Sequence, residues 1–187
     1  MKKILVSLIL CGVTFFAKSQ SASVEKSTNG VQTGLLGLWF HNESKLSDRI
    51  ALRSEVGFDG GFGWGLSYDG VGYVFAPVFT LEPRLYYNLD KRVSKSKNIA
   101  GNSGDFLSLK TSFHPDWFLI SNHDGYSIVN QLSIVPTWGI RRNLGDHFTY
   151  EAGIGIGYRH LFYKGYGYSE DEGELAVNLH LRVGYRF

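Results

Sequence analysis

The chain has 187 residues, with 19 Lys and Arg against 17 Asp and Glu, a single Cys, 23 Gly and 15% aromatic residues. That length suits one domain, and one Cys permits no disulfide framework. A formal charge of +2 is no basic excess of the kind nucleic-acid binders carry, so nucleic acid is not an expected partner.

Residues 1–20, MKKILVSLILCGVTFFAKSQ, set Lys2 and Lys3 ahead of an apolar run over 4–17 and finish on small and polar residues. This reads as a cleaved signal peptide, because the run is short for a spanning helix and a polar stretch follows. Cleavage is expected after Gln20. Leu10 precedes Cys11 where a lipidation signal wants Gly or Ala, so Cys11 is assigned to the leader. Taking Lys2, Lys3 and Lys18 from the 19 basic residues leaves 16 against 17 acidic ones, a formal charge of about −1, and no Cys. The expected mature chain is exported and all-β.

Residues 21–29 are polar and read as a leader or a weak first strand, with the main domain over 30–187. Strand side chains alternate between faces with a period of two. On that pattern 31–41 is a loose strand, with Leu36, Leu38 and Phe40 opposite Thr33, Gly37 and His41, and 42–48 is a turn. In 49–59, Ile50, Leu52, Val56 and Phe58 oppose Ala51, Arg53 and Glu55. A Gly-rich connection over 60–70 leads to 71–88, where Phe75, Phe79, Leu81 and Leu85 oppose Ala76, Thr80, Glu82 and Arg84. Pro77 and Pro83 could mark a bulge there, since proline cannot donate to a ladder, but the alternation outweighs them and the segment is kept as a strand.

The basic connector 89–103 reads either as a contact with the anionic cell-wall side or as a solvated turn. Next, Leu107, Leu109, Thr111 and Phe113 oppose Ser108, Lys110 and Ser112, and a loop follows over 114–125. Residues 126–142 and 148–162 are further strands, with Ser133, Thr137, Arg141, Glu151 and Arg159 on their polar faces and a turn at 143–146. After a Gly, Tyr and acidic loop over 164–172, the last stretch, ELAVNLHLRVGYRF, alternates without a break to Phe187.

The polar parity repeatedly carries Arg or Glu, which distinguishes this chain from soluble up-and-down barrels, whose apolar face turns inward. The alternative, a secreted β-sandwich with one solvated face, does not account for leader, charged parity and aromatic terminus together. Arg53, Glu55, Glu82, Arg84, Glu151, Arg159, His180 and Arg182 are therefore expected to meet and pair inside a closed barrel while the apolar parity meets lipid. Gly153, Gly155, Gly157 and Gly184 suit a crowded lumen, and Trp138, Tyr150 and Tyr185 sit where an interfacial aromatic belt would. Seven strands are clear. An even count asks for an eighth, which is placed at the N-terminus.

The terminal LHLRVGYRF, the leader and the segment LEPRLYYNLDKR (81–92) resemble those of small bacterial outer-membrane β-barrels of the outer-membrane-protein-A-like, porin-superfamily type. The resemblance implies an antiparallel transmembrane up-and-down β-barrel of about eight strands in the bacterial outer membrane. It implies Leu181, Val183, Tyr185 and Phe187 as an assembly signal read by the barrel-assembly machinery. It also implies periplasmic chaperones, outer-membrane lipid and lipopolysaccharide as partners, and a monomer. A periplasmic C-terminus would set 42–48, 89–103 and 143–146 in the periplasm and 60–70, 114–125 and 164–173 outside.

Three roles follow. The first is a structural or surface-binding barrel, because an eight-stranded lumen is just wide enough for side chains to fill. The second is a narrow porin-like channel. The third is a lipid-A-modifying enzyme using the 114–124 loop, with His114 and Ser121 as its candidate pair. The lipid A deacylases carry a His-x-Ser pair, and this chain has none, so no catalytic residues are assigned. His114, Asp116, His123 and Asp124 share a loop but match no rigid metal motif, and no cofactor or metal is expected.

Overall fold

In the computed structural model, residues 22–63, 72–122 and 126–187 are described. The expected signal peptide with Cys11, most of the 60–70 connection, and His123 and Asp124 lie outside them. The strands are β1 (Ser27–Gly34), β2 (Gly37–Lys45), β3 (Ile50–Gly63), β4 (Gly72–Tyr86), β5 (Asp105–His114), β6 (Ile120–Ser121), β7 (Gln131–Leu144), β8 (Phe148–Leu161) and β9 (Glu172–Arg186). Every pairing is antiparallel. Hydrogen bonding runs β1–β2–β3–β4–β5–β7–β8–β9 and returns to β1, a barrel-like ring of eight strands, while β6 adds two residues to the edge of β4.

The eighth strand is N-terminal, as expected, but its boundaries differ. The stretch 31–41 is two strands, not one: Gly34 pairs with Gly37 across a two-residue turn at Leu35 and Leu36. Gly37 has φ +148°, and a Cβ there would stand 2.4 Å from the Phe58 carbonyl oxygen, so glycine fixes where the chain reverses. The reversal resets the parity. Thr33 pairs with Leu38 and shares its outward face, whereas the unbroken alternation had set them on opposite faces. Strand β2 also runs on through Glu43 to Lys45, so the turn read over 42–48 is confined to residues beyond it.

The prolines neither split nor bend the register. Strand β4 pairs with β3 along its whole length, including Pro77 with Phe58 and Pro83 with Leu52. On its other side pairing with β5 lapses at Glu82 and Pro83, then resumes in the same register at Arg84 with Ser108. One missing N–H costs a local ladder bond and nothing more. Strand β7 begins at Gln131 rather than 126.

The connector 89–103 is solvated only in its middle. It folds as a short helix α1 (Leu89–Val93) and a 3-10 turn (Ala100–Asn102), and it buries Leu89, Asn102 and Ser103. Leu89 packs with Ala22, Val24, Ala51, Tyr86 and Phe106 as an apolar core cluster. Residues 22–25, read as leader, form the other half of this plug. The plug closes the end of the ring that also carries the 46–49 and 145–147 connections and the C-terminus, called here the near end. The far end carries the 35–36, 115–130 and 162–171 connections.

Gly157 sits where β8 crosses the unpaired stretch of β7, and a Cβ there would lie 2.2 Å from the Ile134 carbonyl oxygen and 2.7 Å from Val135 Cα. Both are backbone atoms that can yield only by moving the strand. Gly157→Ala is expected to lower stability by about 1–3 kcal/mol, read as a lower urea midpoint by tryptophan fluorescence. Gly165→Ala, with nothing within 4 Å of the added methyl, should leave it unchanged.

Candidate functional site

Alternation delivers the site. With a period of two, each strand sends one parity inward, and here the inward parity is polar. Among the described residues eight Arg and Glu side chains are buried in the ring: Glu43 from β2, Arg53 and Glu55 from β3, Glu82 and Arg84 from β4, Arg141 from β7, Glu151 from β8 and Arg182 from β9. Four are cations and four are anions. An isolated buried ion costs several kcal/mol, so a formally neutral set in mutual contact is the arrangement that can persist.

The pairs interlock. Arg84 donates to both oxygens of Glu151, each at 2.8 Å, and to Glu82 at 2.7 Å. Arg53 bonds Glu55 and also donates to Gln32 Oε1 of β1 at 2.6 Å. Arg182 reaches the same Glu55 carboxylate at 2.9 and 3.1 Å. Arg141 donates to Glu43 at 2.6 Å, and Glu43 also accepts from Tyr86 at 2.6 Å and Asn102 at 2.8 Å. Ser108 of β5 donates to Glu82 at 2.6 Å. All eight ring strands thus contribute a group to the layer. Aromatic faces complete it: the Arg84 guanidinium lies 4.2 Å over Phe106 and that of Arg182 lies 3.9 Å over Trp39.

Of the residues singled out from sequence, Arg53, Glu55, Glu82, Arg84, Glu151 and Arg182 meet in this layer. His180 stands at its edge, 3.4 Å from Glu151. Arg159 does not join it. It pairs with Glu174 at 3.0 Å toward the far end, where both side chains are more than a third exposed. Leu181, Val183 and Tyr185 point outward, and Phe187, 72% exposed, follows the end of β9.

Glu43 and Arg141 were missed as partners in the layer. Placing the turn over 42–48 removed Glu43 from any strand. The readable signal was the alternation Trp39, His41, Glu43 against Leu38 and Phe40, once the chain reverses at Gly34–Gly37.

The loop candidates are dispersed. His114 turns toward Asp59 at 2.9 Å, Ser121 lies in β6 opposite Val74, and Asp116 accepts from Tyr166. Among the described residues no group of three or more His, Cys, Asp or Glu side chains is placed to hold a metal ion. A cavity of about 560 Å³ lies between the charged layer and the far-end connections. No protein-family model matches the chain, and neither curated proteins nor solved structures gave a match.

Removing the charge of Glu43 leaves Arg141 buried beside a neutral group. Glu43→Gln is expected to cost about 3–5 kcal/mol, as for a broken buried pair. Arg159→Ala, which breaks the exposed pair, should cost less than about 1 kcal/mol. Urea unfolding of both variants checks the contrast, and equal costs would contradict the inward assignment of the layer.

Proposed function

We propose that this protein is a β-barrel of the bacterial outer membrane with a structural or surface-binding role. The observation that carries the reading is the inverted polarity of a closed ring: eight ions buried within, and an apolar surface without. On β9 alone, Leu175, Val177, Leu179, Leu181 and Val183 are 58–79% exposed on one face. The neighbouring strands extend that face with Ile154, Ile156, Leu38 and Phe40. Soluble monomers rarely leave so much contiguous apolar surface in water. In lipid it is the favoured state, and ring closure leaves no unpaired edge for the bilayer to meet.

Aromatic residues flank this surface. Tyr87, Phe148, Tyr185 and Phe187 gather near one end, with Trp138 donating to the Tyr87 hydroxyl at 2.8 Å. Tyr73, Trp117, Tyr126 and Tyr158 stand toward the other. Such girdles favour the two water–lipid boundaries. No helix among the described residues is long and apolar enough to span, so any crossing they make is by strands.

The filled interior favours a binding or structural role over conduction. The ion layer bridges the ring from side to side, and the plug of Leu89, Tyr86 and Phe106 lies behind it. The external partners of this reading are lipid and lipopolysaccharide. Folding would proceed through periplasmic chaperones and the barrel-assembly machinery, which recognises the outward face of β9.

Fractionation followed by gel electrophoresis of unboiled and boiled samples tests the assignment. The expected result is outer-membrane recovery with a heat-dependent mobility shift, and no stepwise conductance in planar bilayers. Recovery in the soluble periplasmic fraction without a shift would overturn it, and stable conductance steps would favour the narrow channel. Deleting Phe187 is expected to reduce outer-membrane yield several-fold in cells while leaving the shift of purified, refolded protein intact.

A further inference from the structure

We propose that the far-end cavity binds a small organic anion, a single carboxylate carried on an apolar body. This deepens the binding role above and rests on it. The cavity, about 560 Å³, falls within the size range of small-molecule sites. Its lining includes the charged or titratable Lys110, Arg159, Arg182, His114, His180 and Asp59, with neutral polar groups such as Gln131 and Asn178.

Lys110 sets the ligand charge. Its side chain enters from β5 above the balanced ion layer, and its ammonium forms no hydrogen bond or ion pair among the described residues. The carboxylates that attract it are already engaged. Glu55 is bound by Arg53 and Arg182, while Asp59 accepts from Trp39 Nε1 at 2.7 Å and pairs with His114 at 2.9 Å. The ammonium therefore reaches the cavity without a hydrogen-bonded acceptor among the described residues. Beside it, Nε of the buried Arg182 is also without a partner. Arg159 is held by Glu174.

Among the described lining residues Lys110 is the cation without an ion-pair partner, and one such charge suits one negative charge. A phosphate dianion would bring a second charge toward Asp59, with no second unpaired cation among the described residues to meet it. Among these polar groups lie apolar wall segments, formed by Leu36, Trp39, Val74, Ala76 and Ile128. They offer contact area to a hydrocarbon or aromatic body, not to a bare inorganic ion. The pairing of one point charge with an apolar wall is the usual chemistry of small-acid recognition.

Titration calorimetry of the full-length protein in a neutral detergent tests this, using benzoate, the neutral isostere benzamide and inorganic phosphate. Benzoate is expected to bind saturably at one site, with benzamide and phosphate weaker by about tenfold or more. Lys110→Met should lose benzoate binding by a similar factor while retaining heat-dependent mobility, and Lys95→Met on the exposed connector should bind as the parent does. Equal binding of benzoate and benzamide, phosphate binding as tight as benzoate, or an unchanged Lys110→Met would each overturn the proposal. Absence of benzoate binding by protein that still shows the mobility shift overturns this inference alone, whereas absence of the shift overturns the barrel reading beneath it.

Discussion

The pairing of the first strand with the last is the constraint on which the rest depends. Strands β8 and β9 share fourteen residue pairs, but β1 and β9 share only five, Gly30–Gly34 with Arg182–Arg186. Without that short seam the sheet is an open ribbon with two long edges, each a row of unmet donors and acceptors. With it, the inward parity encloses a space and the ions on it come within reach of one another. Arg182 shows the dependence directly. It leaves β9 at the last pair of the seam, opposite Gly34, and bonds Glu55 on β3, across the ring.

Enclosure explains why this interior can be ionic. A core of eight charges gains nothing over apolar packing in raw stability, since desolvation consumes most of the attraction. It gains geometry. Each guanidinium accepts only a few directions of approach, and Arg84 satisfies Glu82 on its own strand and Glu151 across the lumen at once. A strand slipped by one residue would turn its ions outward and its apolar side chains into the lumen. The charged layer therefore specifies register around the whole ring, a task that apolar packing outside it leaves undone.

Much of this was legible in the chain, because a period-two pattern states which side chains share a face without saying where they end up. The charged parity of residues 49–59, 71–88, 148–162 and 174–187 named six of the eight buried ions. The failures came where local composition outweighed the pattern. Asn42, Ser44 and Asp48 have the composition of a turn, yet Glu43 between them is held inside by Arg141, Tyr86 and Asn102, contacts from residues 43 to 98 positions away. The run of polar and basic residues after Leu89 looks solvated for the same reason. Most of that run is exposed, but Leu89 at its head is buried against Ala22, Val24 and Phe106, which no local window contains. Arg159 failed in the opposite sense, since parity fixes the face of a strand but not the depth, and β8 carries it past the layer toward the far end.

The plug does more than fill one end. Glu25 receives the Gly101 amide and pairs with Arg186 at 3.3 Å, Phe187 N–H donates to Asn29 O at 3.1 Å, and Asn102 Oδ1 accepts from the Glu25 amide at 2.7 Å. The two sides of the seam and the connector between β4 and β5 are thus clasped at one point. Prising β1 from β9 at this end strips the plug of its polar anchors, and pulling the plug exposes the seam. Opening the ring and uncorking it are one mechanical event, so the weakest joint in the sheet is guarded by the segment that its closure holds in place.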